Sequence, residues 1–218
     1  VSYPISLARG AYWLGQSYES LDEIDLANNF YTEAAKFPMT YYGQLAFNKI
    51  NPGGNFELND QSIFNNEYQK DFKKNKLIRH LRILHELDAT QLGKDIFKHL
   101  AELNIEKGSE VLAADLATSL ERYDFAIQIS KKASYQKRFY NKYNYPIIST
   151  PKTVNNKVMP KQEIVLAIIR QESEFDKKAN SWAGARGMMQ LMKPTAKIVA
   201  RQAKLPYSIS RLTQDPEY

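Results

Sequence analysis

The sequence predicts a mainly α-helical protein, and three observations carry that expectation. Apolar and small residues recur at three- and four-residue intervals through most of the chain up to Ala133. The helix-like blocks are separated by residues that cap or break helices, among them Asp88, Asn104 and Gly108. The longest apolar run, Ile164 to Ile169, falls far short of the roughly 18 residues a membrane span needs, so a soluble chain without a transmembrane segment is expected.

Ser6 to Lys36 reads as two amphipathic helices with a break near Ser20 to Asp25. Ala11, Leu14, Gly15 and Tyr18 mark one helix, and Ala27, Tyr31 and Ala34 mark the next. These offsets are tetratricopeptide-like: small residues let two helices approach closely while aromatic rings fill the gaps. One such pair cannot bury its face alone. Further blocks at Asn65 to Asp88, Thr90 to Ala101, Lys107 to Leu120 and Arg122 to Ala133 supply neighbours, giving a stack of helical hairpins. Asn51-Pro52-Gly53-Gly54-Asn55 is an inter-helix loop. It lacks the following Gly-Lys-Ser/Thr and the preceding strand of a phosphate-binding loop.

Between Tyr135 and Pro160 helical continuity is lost, with Pro146, Pro151, Asn155, Asn156 and Pro160 in succession. A domain boundary is expected there. Tyr135, Phe139, Tyr140, Tyr143 and Tyr145 interleave with Lys137, Arg138 and Lys142. Such a mixture suits nucleic-acid or sugar stacking, but aromatic clusters of this kind more often pack domains together, which is the reading preferred here.

The formal net charge is +6, and residues 150–218 hold 12 Lys and Arg against 6 Asp and Glu. The whole basic excess therefore sits in the C-terminal third, where it can attract an anionic polymer or simply form a solvated helix surface. With no cysteine, disulfides, thiol nucleophiles and Cys-ligated zinc are excluded. His80, His85 and His99 lack metalloprotease spacing. No metal and no cofactor are expected.

The chemistry concentrates in Lys161 to Lys197. The apolar body of Ile164, Val165, Ala167, Ile168 and Ile169 suggests a helix buried nearly all round, with Gln171 and Glu172 continuing its inward stripe. Burial and the negative helix end would both favour a protonated Glu172, able to donate to a leaving oxygen. A surface or ion-paired Glu172 beside Arg170 or Lys178 is the plainer alternative. Glu174 lies about 200° farther around a continuing helix and makes a poor partner. Gly184 and Gly187 fit a tight hairpin, and Pro194 suits a helix start.

Glu172-Ser173, then Ser181-x-x-Gly184-Ala185-x-Gly187-x-Met189-Gln190-x-Met192 and Thr195-Ala196, resemble the N-terminal half of the catalytic domain of soluble lytic transglycosylases, the goose-type lysozyme-like family. Ala11 to Tyr18 and Phe37-Pro38 to Gly43-Gln44-Leu45-Ala46 resemble that family's superhelical region. The resemblance implies an α-superhelical domain at 1–140, a connector at 141–160 and part of a lysozyme-like domain with a small β-hairpin at 161–218.

It also implies cleavage of the β-1,4 bond between N-acetylmuramic acid and N-acetylglucosamine of peptidoglycan, leaving a 1,6-anhydromuramoyl end. Glu172 would act as the sole acid and then base, assisted by the substrate's N-acetyl group. Ser173, Gly187, Met189 and Gln190 would contact the glycan, with Met192 as core filler. Partners would be peptidoglycan strands and cell-wall synthesis or division proteins, not nucleic acid, in the periplasm.

Lys193 intervenes where the family often has Pro directly after the position of Met192. Leu212 to Tyr218 resembles the start of the family's next motif, so the 218 residues alone are expected to show little or no lytic activity. The alternative is a non-catalytic helical-repeat scaffold of the cell envelope.

Overall fold

A computed structural model describes residues 3–56, 66–154, 157–215 and 218. Asn155 and Asn156, and Pro216 with Glu217 of the resemblance near the end, lie outside the described residues. The chain divides into two compact units, Val1–Asp60 and Gln61–Tyr218.

Among its described residues, the first unit holds three helices. α1 (Pro4–Glu19) opens with proline in its first turn, where the missing amide hydrogen has no helical partner to lose. The expected break follows, with Asp22 in the left-handed region at φ 59°, and α2 spans Ile24–Ala35. Gly15 is small for a steric reason, since a Cβ there would stand 2.6 Å from the Tyr31 ring. Ala27, Tyr31 and Ala34 are buried as their spacing predicts, whereas Leu14 is exposed. α3 (Tyr41–Ile50) is capped by Thr40, whose Oγ1 accepts the Gly43 amide at 3.0 Å. The Pro52-Gly53-Gly54 segment turns away from it as a loop.

In the second unit, the expected Asn65 to Asp88 block is two helices, α4 (Asn66–Lys73) and α5 (Lys76–Glu86). The interruption is made by Asn75, whose side-chain oxygen accepts the Leu77 amide at 2.9 Å and starts α5 afresh. A 3₁₀ turn at Thr90–Gly93 leads into α6 (Lys94–Glu102), followed by α7 (Ser109–Ser119), α8 (Tyr123–Tyr135) and the short α9 (Asn141–Asn144). Leu81, Phe97, Leu100, Ala113, Ala117, Phe125 and Ala133 form their common core. Tyr140 and Tyr143 are buried in that core, while Tyr135 and Tyr145 stay at its exposed margin.

Two-residue strands β1 (Thr153–Val154) and β2 (Lys157–Val158) pair antiparallel, with Thr153 opposite Val158. Then come α10 (Gln162–Ser173), a folded loop, α11 (Lys193–Gln202) and α12 (Arg211–Gln214). Pro194 sits in the first turn of α11, as expected.

The expectation that α10 is buried nearly all round is overturned. Val165, Leu166 and Ile169 pack with Ile127 of α8, Ile148, Phe175 and Met188. Ile164 and Ile168 are 53% and 42% exposed on the opposite side. An apolar run carries no angular information, so six consecutive apolar residues cannot tell a helix covered on one face from one covered on two.

Candidate active site

Glu172 stands on the uncovered face of α10. With Glu163, Ile164, Ala167, Ile168 and Gln171, all on this one helix, it borders a shallow, open surface concavity. Their spacing explains the grouping, because steps of three and four residues keep side chains on one helical face. Glu172 is exposed rather than buried, so the desolvation expected from the sequence is not found.

The neighbouring acids are engaged elsewhere. α10 ends at Ser173, and Glu174 is its left-handed C-cap at φ 53°, correcting the expectation of a helix that continues through it. Its carboxylate accepts from Lys131 Nζ at 2.9 Å and lies 3.5 Å from Arg170 Nη1. Asp176 accepts the Lys178 backbone amide at 2.9 Å. Neither pairing weighed for Glu172 forms: Arg170 donates to Asn144 O and Oδ1 at 2.9 and 2.8 Å, and Lys178 reaches Asp88 at 2.6 Å.

Ser173 Oγ is turned back onto the Ile169 carbonyl at 3.3 Å. It therefore lies with the packed side of the helix rather than with Glu172.

The loop after α10 is a pair of tight turns. Arg186 bridges Asn180 on one side and Leu191 on the other. In the first turn, Ser181 Oγ accepts the Ala185 amide at 2.9 Å and Gly184 adopts φ 90°. Trp182 at its tip is fully exposed. In the second, Gly187 adopts φ 73° and Gln190 Nε2 donates to the Gly187 carbonyl at 2.9 Å. Met189 is 39% exposed. Gly187, Met189 and Gln190 share this turn but do not line the concavity beside Glu172.

Residues 150–217 match the family described as the Transglycosylase SLT domain. The resemblance to soluble lytic transglycosylases therefore holds. Outside that SLT segment the likeness extends over most of the chain. A Haemophilus influenzae protein assigned as a soluble lytic murein transglycosylase is 26% identical over 171 residues, 77% of this chain and 28% of that protein. The 70 kDa soluble lytic transglycosylase of Escherichia coli superimposes with a TM-score of 0.72 at 20% identity, covering 96% of this chain and 33% of that one. The lytic transglycosylase Slt of Pseudomonas aeruginosa, an inactive Glu-to-Gln mutant, gives 0.72 at 22% identity over 95% of this chain and 34% of its own. The chain thus spans about a third of the length of the relatives it matches, and these structures share its mainly α fold.

Sequence reasoning missed the polar contacts of the SLT segment with α8, α9 and the turn that follows α5. Lys131, Asn144 and Asp88 are 26 to 90 residues away from their partners. No local pattern marks such pairs.

Proposed function

We propose that this chain carries the acid-bearing part of a peptidoglycan lytic transglycosylase, with Glu172 as the single acid and base. The observation that supports the reading best is the isolation of Glu172 on an open, otherwise mostly apolar face of α10. Glu163 is the other carboxyl group in that concavity, nine residues earlier. At 1.5 Å per residue this is about 13.5 Å along the axis, beyond the roughly 5 to 9.5 Å that two-carboxylate glycosidases use.

A lone carboxyl group suits an internal displacement. Glu172 protonates the glycosidic oxygen between N-acetylmuramic acid and N-acetylglucosamine as that bond breaks. The muramic C6 hydroxyl then closes on C1, and the Glu172 carboxylate takes its proton. No water is consumed, the anhydro ring forms, and the carboxyl group returns to its starting state. The substrate's N-acetyl group stabilises the cationic centre in between. That the P. aeruginosa relative is inactive as a Glu-to-Gln mutant supports dependence on one glutamate.

In this reading Met189 and Gln190 reach the glycan from the second turn, Gly187 shapes that turn, and Ser173 acts only through its helix. The division into a superhelical region at 1–140, a connector at 141–160 and a lysozyme-like part from 161, and action in the periplasm on peptidoglycan strands, belong to the same proposal.

The test is muropeptide analysis of sacculi incubated with the full-length gene product and its Glu172→Gln variant. Anhydro-ended products from the first alone are expected. Equal product from the variant would remove Glu172 from the mechanism.

A further inference from the structure

We propose that Glu174 is a positioning residue for Glu172, acting through an ionic clamp that runs from Lys131 through Glu174 and Arg170 to Asn144. The inference rests on the reading of Glu172 as the acid.

Glu174 and Phe175 are consecutive non-glycine residues in the left-handed region, at φ 53° and 67°. Such backbone persists only where the surroundings impose it. Phe175 is imposed by burial against Tyr123 and Ile127. Glu174 is imposed by charge: Lys131 Nζ at 2.9 Å and Arg170 Nη1 at 3.5 Å hold its carboxylate, and the side chain is 24% exposed. Arg170 is itself fixed, because Nε and Nη2 donate to Asn144 O and Oδ1, a planar fork engaged on two acceptors.

Glu172 therefore sits between two residues tied to α8 and α9. Among the described residues, no hydrogen bond or ion pair fixes its own carboxylate, so its direction is set by the last turn of α10. The clamp holds that turn against the helical stack. A glycine at 174 would take the same φ without strain but could not reach Lys131. The helical stack thus contributes to catalysis by orienting the acid.

Lys131→Met, Glu174→Gly and the double variant of the full-length gene product separate this from a purely structural role. Each single change should lower kcat on glycan strands about tenfold, with KM within about twofold and little change in Tm, since a misdirected group costs rate rather than binding. Because both ends belong to one clamp, the double variant should be no slower than either single one.

Wild-type kcat in Glu174→Gly, additive losses in the double variant, or a rise in KM together with a fall in Tm would each overturn the proposal. If the unaltered protein makes anhydro product and Glu172→Gln does not, such a result sinks the clamp alone. If neither makes product, the functional reading falls first and the clamp with it.

Discussion

Gly187 and Leu212 are in backbone contact: a Cβ on Gly187 would stand 2.0 Å from the Leu212 carbonyl oxygen. The glycine also adopts φ 73°, so two separate constraints exclude a side chain there. The second turn of the SLT segment is thereby pressed onto α12.

Gly187→Ala should therefore lower stability by about 3 kcal/mol, combining left-handed strain with overpacking against rigid backbone. Gly184→Ala is the matched control, since φ is 90° but the space around it is open. It should cost only about 1 kcal/mol. Thermal unfolding of both variants checks the difference, and equal losses would show that the Leu212 contact is not what matters.

Helix existence was readable wherever small and aromatic residues kept a helical interval, as at Gly15 and Tyr31, or where punctuation was local, as at Ser20 to Asp25 and Pro194. Asn75 was missed because a cap inside a long amphipathic block looks like one more polar position. The left-handed Glu174 carries no glycine to announce it; Lys131, 43 residues earlier, and Arg170 hold it. The motif singles out Glu172 as a candidate but does not reveal its exposure. Periodicity reports which residues share a face and says nothing of what covers that face.

Glu110 is a buried carboxylate in α7 that accepts from Arg138 Nε and Nη2, both at 2.9 Å, and from the Tyr140 hydroxyl at 3.1 Å. Burial, then the Glu110 charge and hydrogen bond, push the Tyr140 hydroxyl up to about 12. Glu110→Ala strands the partly buried Arg138 guanidinium and should cost about 3 kcal/mol. Chemical denaturation with Arg138→Met as a second variant checks this. The double variant should be less destabilised than the sum of the two single ones.

Tyr31 donates to Glu19 Oε2 at 2.5 Å, and Lys49 Nζ reaches the same oxygen at 2.9 Å. The Tyr31 hydrogen bond, then Lys49, hold the Glu19 carboxyl below its ordinary 4.5. A depressed carboxyl contributes stability above its unfolded value and loses it as pH falls through the folded one. Burial and Glu19 raise the Tyr31 hydroxyl, so its contribution is present below the ordinary 10 and is lost as pH rises. Tyr31→Phe should therefore lower Tm at neutral pH, with the gap narrowing below about pH 4 as Glu19 is protonated. Melting curves of the two proteins across that range decide it; a gap independent of pH would remove the ionised Glu19 from the account.

The two faces of α10 should respond oppositely to truncation. Ile169 is 5% exposed and packs with Ile127 and Phe175, so Ile169→Ala removes buried surface and leaves a cavity, costing about 3 kcal/mol. Ile164 is 53% exposed and faces the concavity beside Glu172. Ile164→Ala should change stability by no more than about 0.5 kcal/mol, since little surface is reburied and alanine favours the helix. If that face contacts glycan, the same change should weaken binding to peptidoglycan strands without weakening the fold. Parallel unfolding and sacculus-binding measurements separate the two effects. A stability loss at Ile164 as large as that at Ile169 would mean that the face beside Glu172 is covered in solution, and the open concavity could not be where substrate enters.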